Sequence, residues 1–189
     1  LTMPPNQRSP EEIMKVAQAT DATQDHCAET LIPFPQTAAA GGAFEKVYKS
    51  PFITGRGIGG LEINQSVSKL NEVMGPTNMV SRSSRRDTYS YGDGFKTIMV
   101  HVYPSGDQGR IKEIVINTGY QGQTDRGIKM GDSYETVKAK HGSGKIIFED
   151  GNKKTLLYND GTLYSFGGGL RKITVTTPEA SPLMKSFSK

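Results

Sequence analysis

Residues 127–142 read GIKMGDSYETVKAKHG and residues 60–75 read GLEINQSVSKLNEVMG, so the chain contains one pattern twice. Laying residue n over residue n+67 aligns 60–94 with 127–161 without a gap. The offset pairs Gly60 with Gly127, Ser66 with Ser133, Gly75 with Gly142, Thr88 with Thr155, Tyr91 with Tyr158, and Asp93-Gly94 with Asp160-Gly161. Beyond that stretch Ile114 and Ile116 match Ile173 and Val175 at a spacing of 59, so the second copy is eight residues shorter in or beside one hairpin. Self-similarity at a fixed period marks a duplicated structural unit.

Each copy opens on a short helix pattern. In the first, Ser66 is placed to cap, Val67, Leu70, Val73 and Met74 share one helical face, and Gly75 stands where a C-cap glycine is wanted. In the second, Asp132 with Glu135 offers a capping box, Tyr134 and Val137 face inward, and Gly142 ends the helix. Short strands follow. The second copy reads KIIFE, KKTLLY, TLYSF and LRKITVT, with Asp150-Gly151 and Asn159-Asp160-Gly161 as turns. The first copy gives TNMVSR, RDTYSY, FKTIMVHVY and IKEIVIN in the same order. The expected fold class is α+β: two tandem repeats, each a short helical segment followed by a four-stranded antiparallel sheet. The divisions that follow are an N-terminal arm over 1–57, a first repeat over 58–119, a second over 120–177 and a tail over 178–189. Within the arm, Ser9-Pro10-Glu11-Glu12 predicts a helix start, with Ile13, Met14, Val16 and Ala17 as its apolar stripe.

Composition limits the function classes. The 23 basic and 19 acidic residues are interspersed, and the formal charge of +4 is a weak nucleic-acid footprint; only Arg82, Arg85 and Arg86 approach a cluster. No run of 18 apolar residues is present, so no transmembrane helix is expected. The single cysteine, Cys27, excludes an intrachain disulfide framework. The chain starts at Leu1, which fits removal of a signal peptide or trimming to an ordered part.

The residue that most suggests recognition lies in FKTIMVHVY. If Ile98, Val100 and Val102 pack on the helix, alternation puts Phe95, Met99, His101 and Tyr103 together on the other side. Aromatics and methionine are enriched at protein contacts. Burial of both faces is the competing reading. Tyr158 and Tyr164 occupy comparable strands of the second copy and are expected to extend that surface.

Catalytic motifs are sparse. GRGIGG at 55–60 matches a dinucleotide-loop glycine pattern, but LEI separates it from the helix near Ser66, so a lead-in loop is preferred. His26 beside Cys27 makes no catalytic pair by adjacency alone, and His141 is expected at a helix end. Neither catalytic, cofactor-binding nor metal-ligating residues are assigned.

The pattern apolar-Gly-x-Ser-x-x-x-Val-x-x-x-x-Gly, from Met130 through Gly131, Ser133 and Val137 to Gly142, resembles the helix signature of the small outer-membrane lipoprotein A (SmpA/OmlA, BamE-like) family. Ile63 to Gly75-Pro76 is similar, with Asn64 where the family carries glycine. Two such units in tandem resemble the arrangement of the β-lactamase inhibitory protein family, over about residues 58–177. The resemblance implies a non-enzymatic, periplasmic or secreted protein that binds another protein through its paired sheets. It leaves two alternatives: an inhibitor of an extracellular hydrolase acting through the hairpins Arg82–Arg86 or Ser105–Gly109, and a structural cell-envelope assembly module.

Overall fold

Serine hydroxyls start two of the helices. A computed structural model of the chain describes residues 38–77 and 79–187, all within the unit Phe34–Lys189. Helix α1 spans Ala38–Tyr48. Helix α2 spans Val67–Met74, with the Ser66 hydroxyl accepting from the Lys69 amide and the Gly75 N–H donating to Asn71 O. Helix α3 spans Tyr134–His141, and here the cap is Ser133, which accepts from the Thr136 amide. The expected Asp132/Glu135 box is replaced, because the Asp132 carboxylate turns back to the Lys129 amide at 3.1 Å. Both caps are ended by glycines at positive φ, 74° at Gly75 and 90° at Gly142, where a side chain would be strained.

Three two-residue strands, β1 (Phe52–Ile53), β2 (Gly57–Ile58) and β3 (Leu61–Glu62), form a small antiparallel sheet. The GRGIGG stretch runs through it: Ile58 pairs with Leu61, and a Cβ on Gly57 would meet Leu61 O at 1.9 Å. Those glycines therefore serve a tight antiparallel turn, with no parallel strand leading into a helix.

The main sheet has eight strands: β4 (Met79–Arg82), β5 (Asp87–Asp93), β6 (Lys96–Tyr103), β7 (Arg110–Asn117), β8 (Lys145–Asp150), β9 (Lys153–Leu157), β10 (Thr162–Gly167) and β11 (Leu170–Thr176). Their spatial order is β4-β5-β6-β7-β11-β10-β9-β8, antiparallel throughout. The expectation of two separate four-stranded sheets is corrected: β7 and β11 pair from Asn117↔Lys172 to Glu113↔Thr176, which joins the two meanders into one sheet.

One face of this sheet carries the core. Tyr89, Tyr91, Ile98, Val100, Val102, Ile111, Ile114, Ile116, Tyr164, Phe166, Ile173 and Val175 are buried there with Leu70 and Met74 of α2 and Val137 of α3. Helix α1 packs on the same side, where Lys96 reaches the Glu45 carboxylate and lies 5.6 Å from the Tyr48 ring centre. Phe44, Val47, Tyr48, Phe52 and Ile58 belong to this core, so the arm expected over 1–57 is not separate from it beyond residue 38. The predicted helix near Ser9, and His26 with Cys27, lie outside the described residues. A 3₁₀ turn, Pro182–Phe187, closes the described chain and buries Met184.

Candidate functional site

Side-chain alternation divides β6 as the spacing predicts. Ile98, Val100 and Val102 are fully buried in the core, and Met99, His101 and Tyr103 lie on the face that none of α1, α2 or α3 covers. Neighbouring strands give this face a different chemistry from the aromatic one expected. Pairing places Ser90 and Val115 beside Met99, Thr88 and Glu113 beside His101, and Thr174 and Thr176 on β11. Threonine, serine and short aliphatics dominate, and the centre is closed: Val115 is 5% exposed and Thr174 6%.

Across four strands a polar row runs Thr88–His101–Glu113–Thr176. The Thr88 hydroxyl is 3.0 Å from His101 Nδ1, His101 Nε2 is 3.5 Å from a Glu113 oxygen, and the Thr176 hydroxyl donates to the other Glu113 oxygen at 2.8 Å. At 3.5 Å the histidine and carboxylate have the distance of an ion pair, yet burial acts on both in the opposite sense. Burial, helped by the Arg86 guanidinium, pulls the His101 imidazole down to about 4, and burial pushes the Glu113 carboxyl up. With the imidazole neutral at pH 7, the row is a polar hydrogen-bonding array rather than a salt bridge. Its order of hydroxyl, imidazole and carboxylate is that of nucleophile, base and orienting acid. An imidazole with its pKa near 4 is a poor general base at neutral pH.

The two ends of β6 lead to different surfaces. At its start the β5–β6 turn lifts Phe95 out of the sheet, 82% exposed. At its end the Tyr103 hydroxyl accepts from Arg86 Nη1 at 3.3 Å, and Arg82, Arg85 and Arg86 are exposed around the β4–β5 hairpin. The Ser105–Gly109 loop lies at this same end. Asp87, fully buried, accepts from the Ser105 hydroxyl at 2.5 Å and the Gly106 amide at 3.0 Å, which binds the two hairpins together. Eight extended residues span roughly 25 Å, so Phe95 and the arginine hairpin form two patches rather than one.

Tyr158 and Tyr164 are elsewhere. The expectation that they extend the recognition surface is corrected: they are 4% and 0% exposed and lie on the core face under α3. His141, the last residue of α3, stacks on Tyr158 at 3.9 Å between ring centres. Its Nδ1 is 3.0 Å from the Tyr164 hydroxyl and its Nε2 is 3.3 Å from an Asp160 oxygen. Burial alone would raise Asp160, but hydrogen bonds from His141 and from Thr162 outweigh it and hold the carboxyl below its usual value. This cluster pins the helix end to the sheet. His141 stands at the helix end, as its correspondence with Met74 in the other copy predicts, and its contact with Tyr164 left no trace in the pattern.

Beside α3 a depression of about 270 Å³ is lined by Ser133, Tyr134, Glu149, Lys154 and Phe166 among others. Its charges satisfy each other: Lys154 pairs with Glu149 at 2.8 Å and lies 4.3 Å from the Tyr134 ring centre. Among the described residues, no three His, Cys, Asp or Glu side chains converge as a metal site requires, and no helix is long and apolar enough to cross a membrane. No protein-family model, curated protein or solved structure matches the chain.

Proposed function

We propose that the chain is a non-enzymatic, secreted or periplasmic protein-binding module, built from two related α+β units fused edge to edge. The observation that carries the reading is Phe95, an aromatic side chain 82% exposed at a hairpin tip, with half-buried Met99 four residues on in β6. A soluble surface gains nothing from an aromatic held in water, whereas a partner pocket that closes on it gains the burial of a whole ring. The duplicated pattern of residues 60–94 and 127–161, and its likeness to SmpA/OmlA-type repeats, support the two-unit origin and the extracytoplasmic setting.

Capture from the envelope and culture fluid of the producing organism, with the native chain and the Phe95→Ala variant side by side, tests the reading. A partner held by the native chain and lost about 30-fold or more by the variant supports it, since an aromatic anchor contributes about 2 kcal/mol or more. Equal capture by both removes Phe95 from the site.

A second reading rests on the other end of β6. Three exposed arginines and a neighbouring loop held to them by buried Asp87 make a preorganised, basic double hairpin, the form expected of an inhibitor that enters an acidic cleft. Inhibition of an extracellular hydrolase that survives Phe95→Ala but is lost when Arg85 and Arg86 become glutamate would favour it over the first.

A further inference from the structure

The sheet ends on two strands, β4 and β8, and β8 is the longer, six residues against four. It reads KIIFED, with Ile146 42% and Phe148 49% exposed. An apolar edge of this length is a template for another strand. We propose that β8 pairs with β8 of a second copy of this chain, antiparallel, about a two-fold axis passing between Ile147 and Phe148.

Charge selects this arrangement among the alternatives. The strand begins with Lys145 and ends with Glu149 and Asp150. Antiparallel self-pairing about that axis sets Lys145 opposite Asp150 twice and Ile146 opposite Glu149 twice. Parallel pairing would set lysine beside lysine. Pairing β8 antiparallel to β4 of another copy brings Arg82 toward the Lys145 end of β8, again like against like.

The face on which each side chain stands supports the same register. A two-fold axis normal to the sheet requires that residues brought opposite each other share a face. In a regular strand Lys145 and Asp150, five residues apart, would point to opposite faces. A bulge between Ile146 and Phe148 removes the conflict: Lys145 lies opposite Leu157, Phe148 opposite Thr155 and Asp150 opposite Lys153, alternate residues of β9 and hence one face. Ile146 and Glu149, opposite Leu156 and Lys154, share the other. The bulge therefore makes the charge-matched register compatible with the symmetry. A closed dimer of this kind continues the sheet from eight strands to about sixteen.

Sedimentation equilibrium of the full chain over a concentration series, at low and high salt, tests this. The native chain is expected to dimerise, and Lys145→Glu and Asp150→Lys are each expected to weaken the dimer at least about ten-fold, because each reversal faces two like charges across the axis. The double variant Lys145→Glu/Asp150→Lys restores opposite charges and should recover the dimer; that rescue separates a charge-matched register from loss of folding. Phe95→Ala should leave the dimer unchanged, which keeps this test independent of the proposed partner site. A single monomer mass at every concentration overturns the proposal. So does a dimer that neither single reversal weakens.

Discussion

Lowering the pH from neutrality toward 4 perturbs one buried group in a calculable way. His101 is 8% exposed, and its imidazole is held neutral down to about 4 against 6.5 in an unfolded chain. Between those values the unfolded state binds a proton that the folded state refuses. Stability therefore falls with falling pH over that window, by about 3 kcal/mol in total at 1.36 kcal/mol per pH unit. The groups facing the ring are Thr88 on β5, Arg86 in the β4–β5 turn and Glu113 on β7, with Lys172 of β11 acting on Glu113. Glu113 works against the trend: its raised pKa means the folded state takes up its proton first, which adds stability as pH falls. The histidine contribution is isolated by comparing urea unfolding of the native chain with His101→Gln from pH 7 to pH 4, the native chain losing about 3 kcal/mol more than the variant. The imidazole proton resonance, followed by NMR, should move with a midpoint near 4. A midpoint at or above 6.5 would refute the reasoning, because attraction to Glu113 would then outweigh burial.

Three further pairs of substitutions follow from the packing. Tyr91 and Tyr158 are related by the 67-residue offset, yet the Tyr158 hydroxyl donates to Gly142 O at 3.0 Å while the buried Tyr91 hydroxyl has no hydrogen-bond partner among the described contacts. Tyr91→Phe should thus leave stability unchanged or raise it by about 1 kcal/mol, and Tyr158→Phe should lower it by about the same amount, both read from denaturant midpoints. Gly92 and Gly94 both have positive φ, but a Cβ at Gly92 would meet Lys96 O at 2.1 Å whereas one at Gly94 meets open space. Gly92→Ala is expected to cost about 3 kcal/mol or more in thermal or denaturant unfolding, and Gly94→Ala about 1 kcal/mol. His141→Ala strands the fully buried Tyr164 hydroxyl and removes a stacked ring, so about 3 kcal/mol should be lost; adding Tyr164→Phe should return about 1 kcal/mol of it, and strict additivity in that double-mutant cycle would deny the coupling.

The local elements were legible because their causes are local. Ser66, Gly75 and Gly142 mark helix ends through one hydroxyl or one positive φ, and Asp150-Gly151 and Asn159-Asp160-Gly161 mark turns in the same way. The union of the two meanders was not read, since backbone pairing at a strand edge leaves no side-chain period. A trace of it existed: IVI in β7 and ITVT in β11 are buried on both faces, the mark of strands in the middle of a sheet rather than at its edge. Helix α1 was hidden by Gly41-Gly42, whose low helix propensity is outweighed by the docking of Phe44, Val47 and Tyr48 into the core. Tyr158 and Tyr164 were misplaced for a related reason. A tyrosine satisfies a core and a binding surface equally well in sequence, and the partners that bury it, Gly142 O and His141, come from a helix end more than a dozen residues away.

The order β4-β5-β6-β7-β11-β10-β9-β8 also fixes when the sheet can be completed during synthesis. Of this sheet's strands β11 is made last, yet it fills the middle of the sheet, between β7, finished some fifty residues earlier, and β10. Until Leu170–Thr176 leaves the ribosome, the first meander ends on an unpaired β7 whose Ile114, Val115 and Ile116 have no neighbour on that side. A nascent chain stopped before Leu170 thus presents two raw edges in place of a joint, and the two halves gain their mutual support in a single late step.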